Sequence, residues 1–192
     1  MHVEARGAVL AVGKPLSRRC FLKLLPVAMS VGLMPRWARG HQAATPEKSL
    51  SLYNQHTGEQ IKNIYWAEGH YVPEVLQQFN TLLRDHRANE ITEIDPKLLD
   101  LLFTIGKKLE IREPFHIVSA YRSPTTNARL RKRRQGVSKH SFHMYGKAVD
   151  LYVPGYKLSS VRRAALALRG GGVGYYPRSK FVHLDTGPVR SW

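Results

Sequence analysis

From residue 48 onward the apolar positions follow two rhythms. Leu50-Ser51-Leu52-Tyr53 and Ile61-Lys62-Asn63-Ile64-Tyr65-Trp66 are short β-type runs on either side of His56-Thr57-Gly58-Glu59. That arrangement predicts a hairpin, with Gly58 supplying the turn. Val75, Leu76, Phe79, Leu82 and Leu83 recur at helical spacing and predict an amphipathic helix over 73–84. Asp95-Pro96 opens a second helix, Asp as cap and Pro in the first turn, followed by Leu98, Leu99, Leu101, Leu102, Ile105 and Leu109. Phe115 to Ala120 reads as a strand, Ser123-Pro124 starts a short helix to about Arg131, and Ala148 to Val153 is a strand. Ser159 to Leu168 is a helix that Gly170-Gly171-Gly172 ends. Gly174-Tyr175-Tyr176 and Phe181 to Thr186 are two last strands joined at Pro177-Arg178-Ser179-Lys180. With no repeats and no long linker, these elements predict one α+β domain over 41–192, a small antiparallel sheet packed by helices.

The first forty residues follow neither rhythm. A basic stretch, Ser17-Arg18-Arg19-Cys20-Phe21-Leu22-Lys23, precedes the apolar run Leu24 to Met34. A membrane-spanning helix needs about 20 apolar residues, and this run is about half that. It has the length of the apolar region of a secretory signal. Pro15, Pro26 and Pro35 argue against a continuous helix. The paired arginines with Phe-Leu-Lys behind them resemble a twin-arginine export signal, so residues 1–40 are expected to be a removable leader. The mature chain is then expected in the periplasm, with no stable membrane anchor.

Composition narrows the chemistry. The 192 residues carry 30 Lys+Arg against 14 Asp+Glu, a net charge of +16, with 43% hydrophobic and 23% charged residues. That is globular composition, which excludes collagen-like, low-complexity and polytopic membrane classes. Removing residues 1–40 takes away seven Lys+Arg and one Glu and leaves 23 basic against 13 acidic, or +10. The only cysteine, Cys20, leaves with the leader. A disulfide, a multi-cysteine zinc site and a thiol nucleophile are thereby excluded from the mature chain. The run Arg129-Leu130-Arg131-Lys132-Arg133-Arg134 is a solvated charge cluster. For an exported protein its anionic partner is cell-wall polymer or membrane surface rather than nucleic acid.

The late strands carry ligand-type residues. His143 and Asp150 are seven apart with Gly146 between them, and His183 follows in Val182-His183-Leu184-Asp185. Two imidazoles and a carboxylate are a sufficient set for a catalytic zinc with one open position. Strand alternation points Asp150 away from Val149 and Leu151, and His183 away from Val182 and Leu184. Neighbouring strands can then present both side by side, with a turn at Gly146 bringing in His143. His-x6-Asp alone is a weak pattern, and a lone strand histidine is more often a core residue than a ligand.

The full set is more specific. Ser141-Phe142-His143-Met144-Tyr145-Gly146-Lys147-Ala148-Val149-Asp150, the Val182-His183-Leu184-Asp185 strand, Tyr121-Arg122-Ser123-Pro124-Thr125-Thr126-Asn127 and the early Leu52-Tyr53-Asn54 to Glu59 hairpin resemble the zinc D-Ala-D-Ala peptidase superfamily, of hedgehog/D-Ala-D-Ala peptidase-like fold. Within it the likeness is to MepK-like (YcbK-like) murein endopeptidases, over roughly residues 48–192. The resemblance implies Zn2+ held by His143, Asp150 and His183, with Arg122 holding substrate and stabilising the oxyanion. It implies hydrolysis of peptide crosslinks in peptidoglycan by a monomer. The alternatives are a D-Ala-D-Ala carboxypeptidase or dipeptidase, and a non-catalytic peptidoglycan-binding module. Many members of the superfamily carry a base two or three residues before the last ligand, where this chain has Lys180 and Phe181. Asp185 is then the expected catalytic base, the alternative being a residue that orients a ligand. His140 is a candidate substrate contact or reserve base, against the plainer reading of a polar loop residue. Tyr175 is a candidate substrate contact too, with one of Tyr175 and Tyr176 expected in the core.

Overall fold

The computed structural model describes residues 46–133 and 136–192. The leader expected over 1–40, with its twin arginines, and Arg134 of the charge cluster lie outside the described residues. Among the described residues no helix is long and apolar enough to cross a membrane.

Strands β1 (Lys48–Asn54) and β2 (Gln60–Ala67) form the expected antiparallel hairpin. Gly58 takes φ +74 in its turn, and its N–H donates to the Asn54 carbonyl at 2.9 Å. A two-residue strand β3 (His70–Tyr71) folds back on β2. Two helices follow, α1 (Pro73–Leu82) and α2 (Pro96–Lys108). Asp95 caps α2 as its position predicts, Oδ1 accepting from Lys97 N at 3.0 Å. Next come β4 (Phe115–Ser119), α3 (Pro124–Arg133), a 3-10 turn (Phe142–Tyr145), β5 (Ala148–Tyr152) and α4 (Leu158–Leu168). The chain closes with β6 (Gly172–Tyr176), β7 (Phe181–Asp185) and β8 (Arg190–Ser191). Arg169, not a glycine, takes the left-handed conformation that ends α4.

The α+β class is as expected, but the sheet is larger and mixed. It has eight strands in the order β3-β2-β1-β4-β5-β7-β6-β8. β1 pairs parallel with β4, Leu52 opposite Phe115, and β6 pairs parallel with β8. For β1 and β4 the reason is the connection, since α1 and α2 intervene and a crossover through helices returns the chain in the same direction. β8 is parallel to β6 because β7, antiparallel to β6, lies between them in the chain and a second reversal follows it. Strands of two residues, such as β3 and β8, carry no period for a sequence pattern to show.

Alternation divides the sheet into two faces. Leu50 and Leu52 of β1, Phe115 and Ile117 of β4, Val149 and Leu151 of β5, and Val182 and Leu184 of β7 are buried in one core. Helices α1, α2 and α4 cover that face, contributing Val75, Phe79, Leu98, Leu102, Ile105, Val161 and Ala165. At about 25 cal/mol per Å² of apolar surface removed from water, this continuous layer is the main term holding the sheet flat against its helices. The opposite face carries Tyr53, His116, Asp150, Tyr152, Phe181 and His183, the residues one step out of phase with the core.

Candidate metal centre

Asp150 lies opposite His183 in the β5–β7 pairing, so the expected side-by-side presentation is met by register. Gly146, at φ +64, turns the chain between the 3-10 turn and β5. A Cβ at that position would collide with the Glu93 carbonyl oxygen, so glycine is required by space as well as by conformation. The turn carries His143 over the two strands. His143, Asp150 and His183 are all buried, and one ligand-type atom from each lies within 4.8 Å of the others.

The hydrogen bonds fix which atoms face inward. His143 Nδ1 lies 2.6 Å from the Ala120 carbonyl oxygen, which only accepts, so Nδ1 carries the hydrogen. Nε2 then presents its lone pair, 3.2 Å from His183 Nδ1 and 3.3 Å from Asp150 Oδ1. His183 Nε2 lies 3.0 Å from Asp185 Oδ2, and His183 Nδ1 lies 2.8 Å from Asp150 Oδ1. A carboxylate stands at each nitrogen of His183, so when its ring is neutral with the hydrogen toward Asp185, Nδ1 faces inward as a lone pair. Two imidazole nitrogens and a carboxylate oxygen then converge on one point, which a proton or a metal cation can occupy. The donor set fits zinc, which takes nitrogen and carboxylate oxygen ligands in this combination.

Electrostatics point the same way. Burial pushes the His143 imidazole down, keeping it neutral. Burial opposes the charge of Asp150, but the flanking imidazoles of His143 and His183 hold its carboxyl well below the usual carboxylate range. Burial also works against a charged His183, yet its bonds to Asp150 and Asp185 outweigh that and raise its affinity for a proton. The negative charge that attracts a proton there attracts a metal cation by the same force.

Asp185 sits on the far side of His183, against the ring nitrogen that points away from the cluster. It is fully buried, and its oxygens are committed. Oδ1 accepts from Gly172 N at 3.1 Å, Gly187 N at 2.8 Å and Arg190 Nη1 at 3.1 Å. Oδ2 accepts from His183 Nε2 and from Arg190 Nη2 at 2.6 Å. Burial alone would raise its pKa, but these partners hold it well below the ordinary range. The placement runs against the expectation of a catalytic base. It matches the alternative, a carboxylate that fixes the tautomer and tilt of a ligating histidine.

Arg122 reaches the cluster. Its Nη2 lies 3.6 Å from Asp150 Oδ2, and its backbone N–H donates to the His143 carbonyl at 3.1 Å. The side chain is 11% exposed, and Nε has no hydrogen-bond partner among the described residues. Burial lowers its pKa, but a guanidinium stays ionised in proteins. A buried cation with donors to spare is thus held beside the ligands. Asp85 holds its turn in place: this fully buried carboxylate accepts from Ser123 N at 3.0 Å and from Arg87 N at 3.0 Å. Nothing in the sequence around Asp85 signals that role, because its partner lies 38 residues away.

The other two candidates fall elsewhere. Tyr175 pairs with Val182 in register and so shares the helix-covered face, under the Arg162 guanidinium at 5.0 Å. Tyr176 is the member of the pair on the ligand face, where its hydroxyl accepts from Trp192 Nε1 at 2.6 Å. His140 is exposed, its backbone N–H on Ser138 Oγ at 3.2 Å, with no hydrogen bond to the cluster. Trp192 was missed by sequence reasoning: its ring packs over Gly174, opposite His183, with centroids 5.3 Å from the imidazole.

Comparison with known proteins adds the lineage. The family described as peptidoglycan L,D-endopeptidase MepK matches residues 42–192. The peptidoglycan L,D-endopeptidase MepK of Escherichia coli (strain K12) is 45% identical over 176 residues, 92% of this chain and 97% of its own length. The Shigella flexneri protein of that name matches to the same extent. A probable peptidoglycan L,D-endopeptidase MepK of Haemophilus influenzae is 35% identical over 177 residues, 92% of this chain and 95% of its own.

Proposed function

The chain belongs to the family of peptidoglycan L,D-endopeptidase MepK, and on that footing we propose that it is a zinc-dependent hydrolase cutting peptide crosslinks of peptidoglycan at an L,D bond. The observation that carries the zinc is the convergence of one ligand-type atom each from His143, Asp150 and His183, all within 4.8 Å of one another. A zinc ion held there would act as a Lewis acid and lower the pKa of water towards about 7.

The chain's own residues supply the rest. Arg122 presents spare donors beside the cluster, where a peptide carbonyl gathers negative charge as it is attacked, and a charged donor there is worth most in a buried setting. Ala120 and Asp185 hold the two imidazoles in the tautomers that face inward. Asp185 acts by positioning and is not the base.

Digestion tests the reading. The zinc-loaded chain should convert crosslinked muropeptide dimers into monomers, with the new termini read by mass. His183→Ala should lose both metal and cleavage. Release of terminal D-Ala with dimers left intact would instead identify a carboxypeptidase. No cleavage with full zinc would identify a binding module.

Residues 1–40 we propose as a twin-arginine leader that delivers the protein to the periplasm, supported by Arg18-Arg19 ahead of the Leu24 to Met34 run. Replacing both arginines with lysine should hold the precursor in the cytoplasm. Efficient export of that variant would rule the twin-arginine route out.

A further inference from the structure

The sheet face that bears the metal ligands also bears a row of aromatic rings that the chemistry above does not use. Tyr53 of β1 lies opposite His116 of β4, and His116 lies opposite Tyr152 of β5. Leu151 pairs with Val182, which sets Phe181 of β7 beside Tyr152, and Phe181 pairs with Tyr176 of β6. Five neighbouring strands thus each contribute one ring at the same level. Centroids are 4.7 Å apart for Tyr53–His116, 5.0 Å for His116–Tyr152 and 4.6 Å for Tyr176–Phe181. At about 4.8 Å between strands the row is about 19 Å long. Tyr152 and Phe181 are each two residues from a ligand, Asp150 and His183, so the row runs about 7 Å from the metal cluster.

These rings are not core. All five lie on the face away from the helices and are partly exposed, Tyr176 to 36%. Cross-strand aromatic pairs stabilise sheets in their own right, but a row made of a triplet, Tyr53–His116–Tyr152, and a pair, Phe181–Tyr176, that runs past a metal cluster is a surface that something can lie on. Its shape limits what. Tyr176 and Phe181 stack within 25° of parallel at nearly the strand spacing, so they stand upright with edges outward. The His116 Nδ1–Tyr152 hydroxyl contact at 3.0 Å ties the tips of two more. Tyr53, His116 and Tyr152 tilt at 46° and 54° to one another beside that upright pair, a corrugated surface suited to an extended chain and poor for the flat stacking of a sugar ring. Cations flank the row at both ends, with Glu113 near His116 as the acidic exception. Lys62, opposite Ser51 in register, stands on this face at one end, and Arg178 and Lys180 occupy the β6–β7 turn at the other.

We propose that this row is the floor on which the acidic stem peptide of the substrate lies extended across the strands, its crosslink reaching about 7 Å along β5 and β7 to the His143–Asp150–His183 cluster. The assignment rests on the peptidase reading and adds where that substrate is held. A length of about 19 Å accommodates about six extended residues at about 3.3 Å each.

The test uses the zinc-loaded full chain and the sugar-free tetrapeptide stem, a cleavage product that binds without turnover. Calorimetry should show binding that Tyr53→Ser and His116→Ala, both at the end of the row away from His183, each weaken about tenfold or more, with zinc content unchanged. With crosslinked dimers the same variants should raise KM while kcat holds, the signature of lost uniform binding. In the unsubstituted chain, the His116 ring resonances should move on adding the stem, a readout that needs no variant to fold. Still resonances, or wild-type affinity in both variants, would overturn the proposal, as would binding of peptide-free glycan in place of the stem. Cleavage that ignores the row would sink this proposal alone, whereas row-dependent binding without cleavage would sink the peptidase reading alone.

Discussion

Which ring nitrogen keeps its hydrogen decides whether a buried histidine can accept a cation. Ala120 makes that choice for His143, and for His183 Asp185 competes with Asp150 for the hydrogen. The expected consequence for Asp185→Asn follows from its position behind His183. The amide can turn its NH2 to His183 Nε2 and reverse the tautomer, so zinc affinity should fall about 10- to 100-fold together with rate. Metal titration beside turnover separates this from a lost base, which would leave zinc in place. Arg122 belongs to the same scale. Arg122→Lys keeps the charge but loses the planar fork of donors. Zinc content should be unchanged and kcat should drop about 100-fold, the size of one lost oxyanion donor. Wild-type turnover would reduce Arg122 to a brace for the loop beneath His143.

Among the elements, α2 is tied to the site through its cap. Asp95 Oδ1 closes the first turn on Lys97 N, Oδ2 accepts from Thr186 Oγ1 at 2.7 Å, and Asp95 N donates to the Gly146 carbonyl at 3.0 Å. One residue thus joins a helix to the segment after β7 and to the turn that carries His143. Asp95→Ala should cost about 1–2 kcal/mol, the usual range for a lost cap. Urea unfolding should show a lower midpoint at unchanged slope, the mark of a stability change without altered compactness. The cap was legible because Asp-Pro before an apolar periodic run is a local signal. The bond from Asp95 to Thr186 was not, since the two are 91 residues apart.

For the whole molecule, acid stability has an identifiable contributor away from the metal cluster. His86 stacks on His56 with centroids 4.0 Å apart, and burial, reinforced by the charges of Arg87, His56 and Arg84 against the opposing Asp85, lowers its pKa to about 4. An unfolded histidine titrates near about 6.5. Between those values the unfolded chain binds the extra proton, so stability rises with pH, and it is lost as pH falls from about 6.5 towards about 4. Thermal melting of the wild type should decline across that window, and His86→Gln should decline less. Parallel curves would show that His86 plays no part.

The sequence by itself determined the α+β class, the main helices, and the pairing of Asp150 with His183 as ligand candidates. Those depend on short-range regularities: the period of two, the period of 3.6, a capping Asp-Pro, a glycine where His143 must turn back. Only the tertiary structure decided the rest. The parallel union of β1 with β4 depends on the crossover through α1 and α2 that separates them in the chain. Register then settled that Tyr176 and not Tyr175 shares a face with the ligands, because one residue of slip exchanges the two faces. Long-range neighbours set the surroundings of Asp185, where Gly172, Gly187 and Arg190 occupy the lone pairs that His183 leaves. The aromatic row exists only across strands: its five residues are spread from position 53 to 181, and it forms when hydrogen bonding brings five strands to about 4.8 Å spacing.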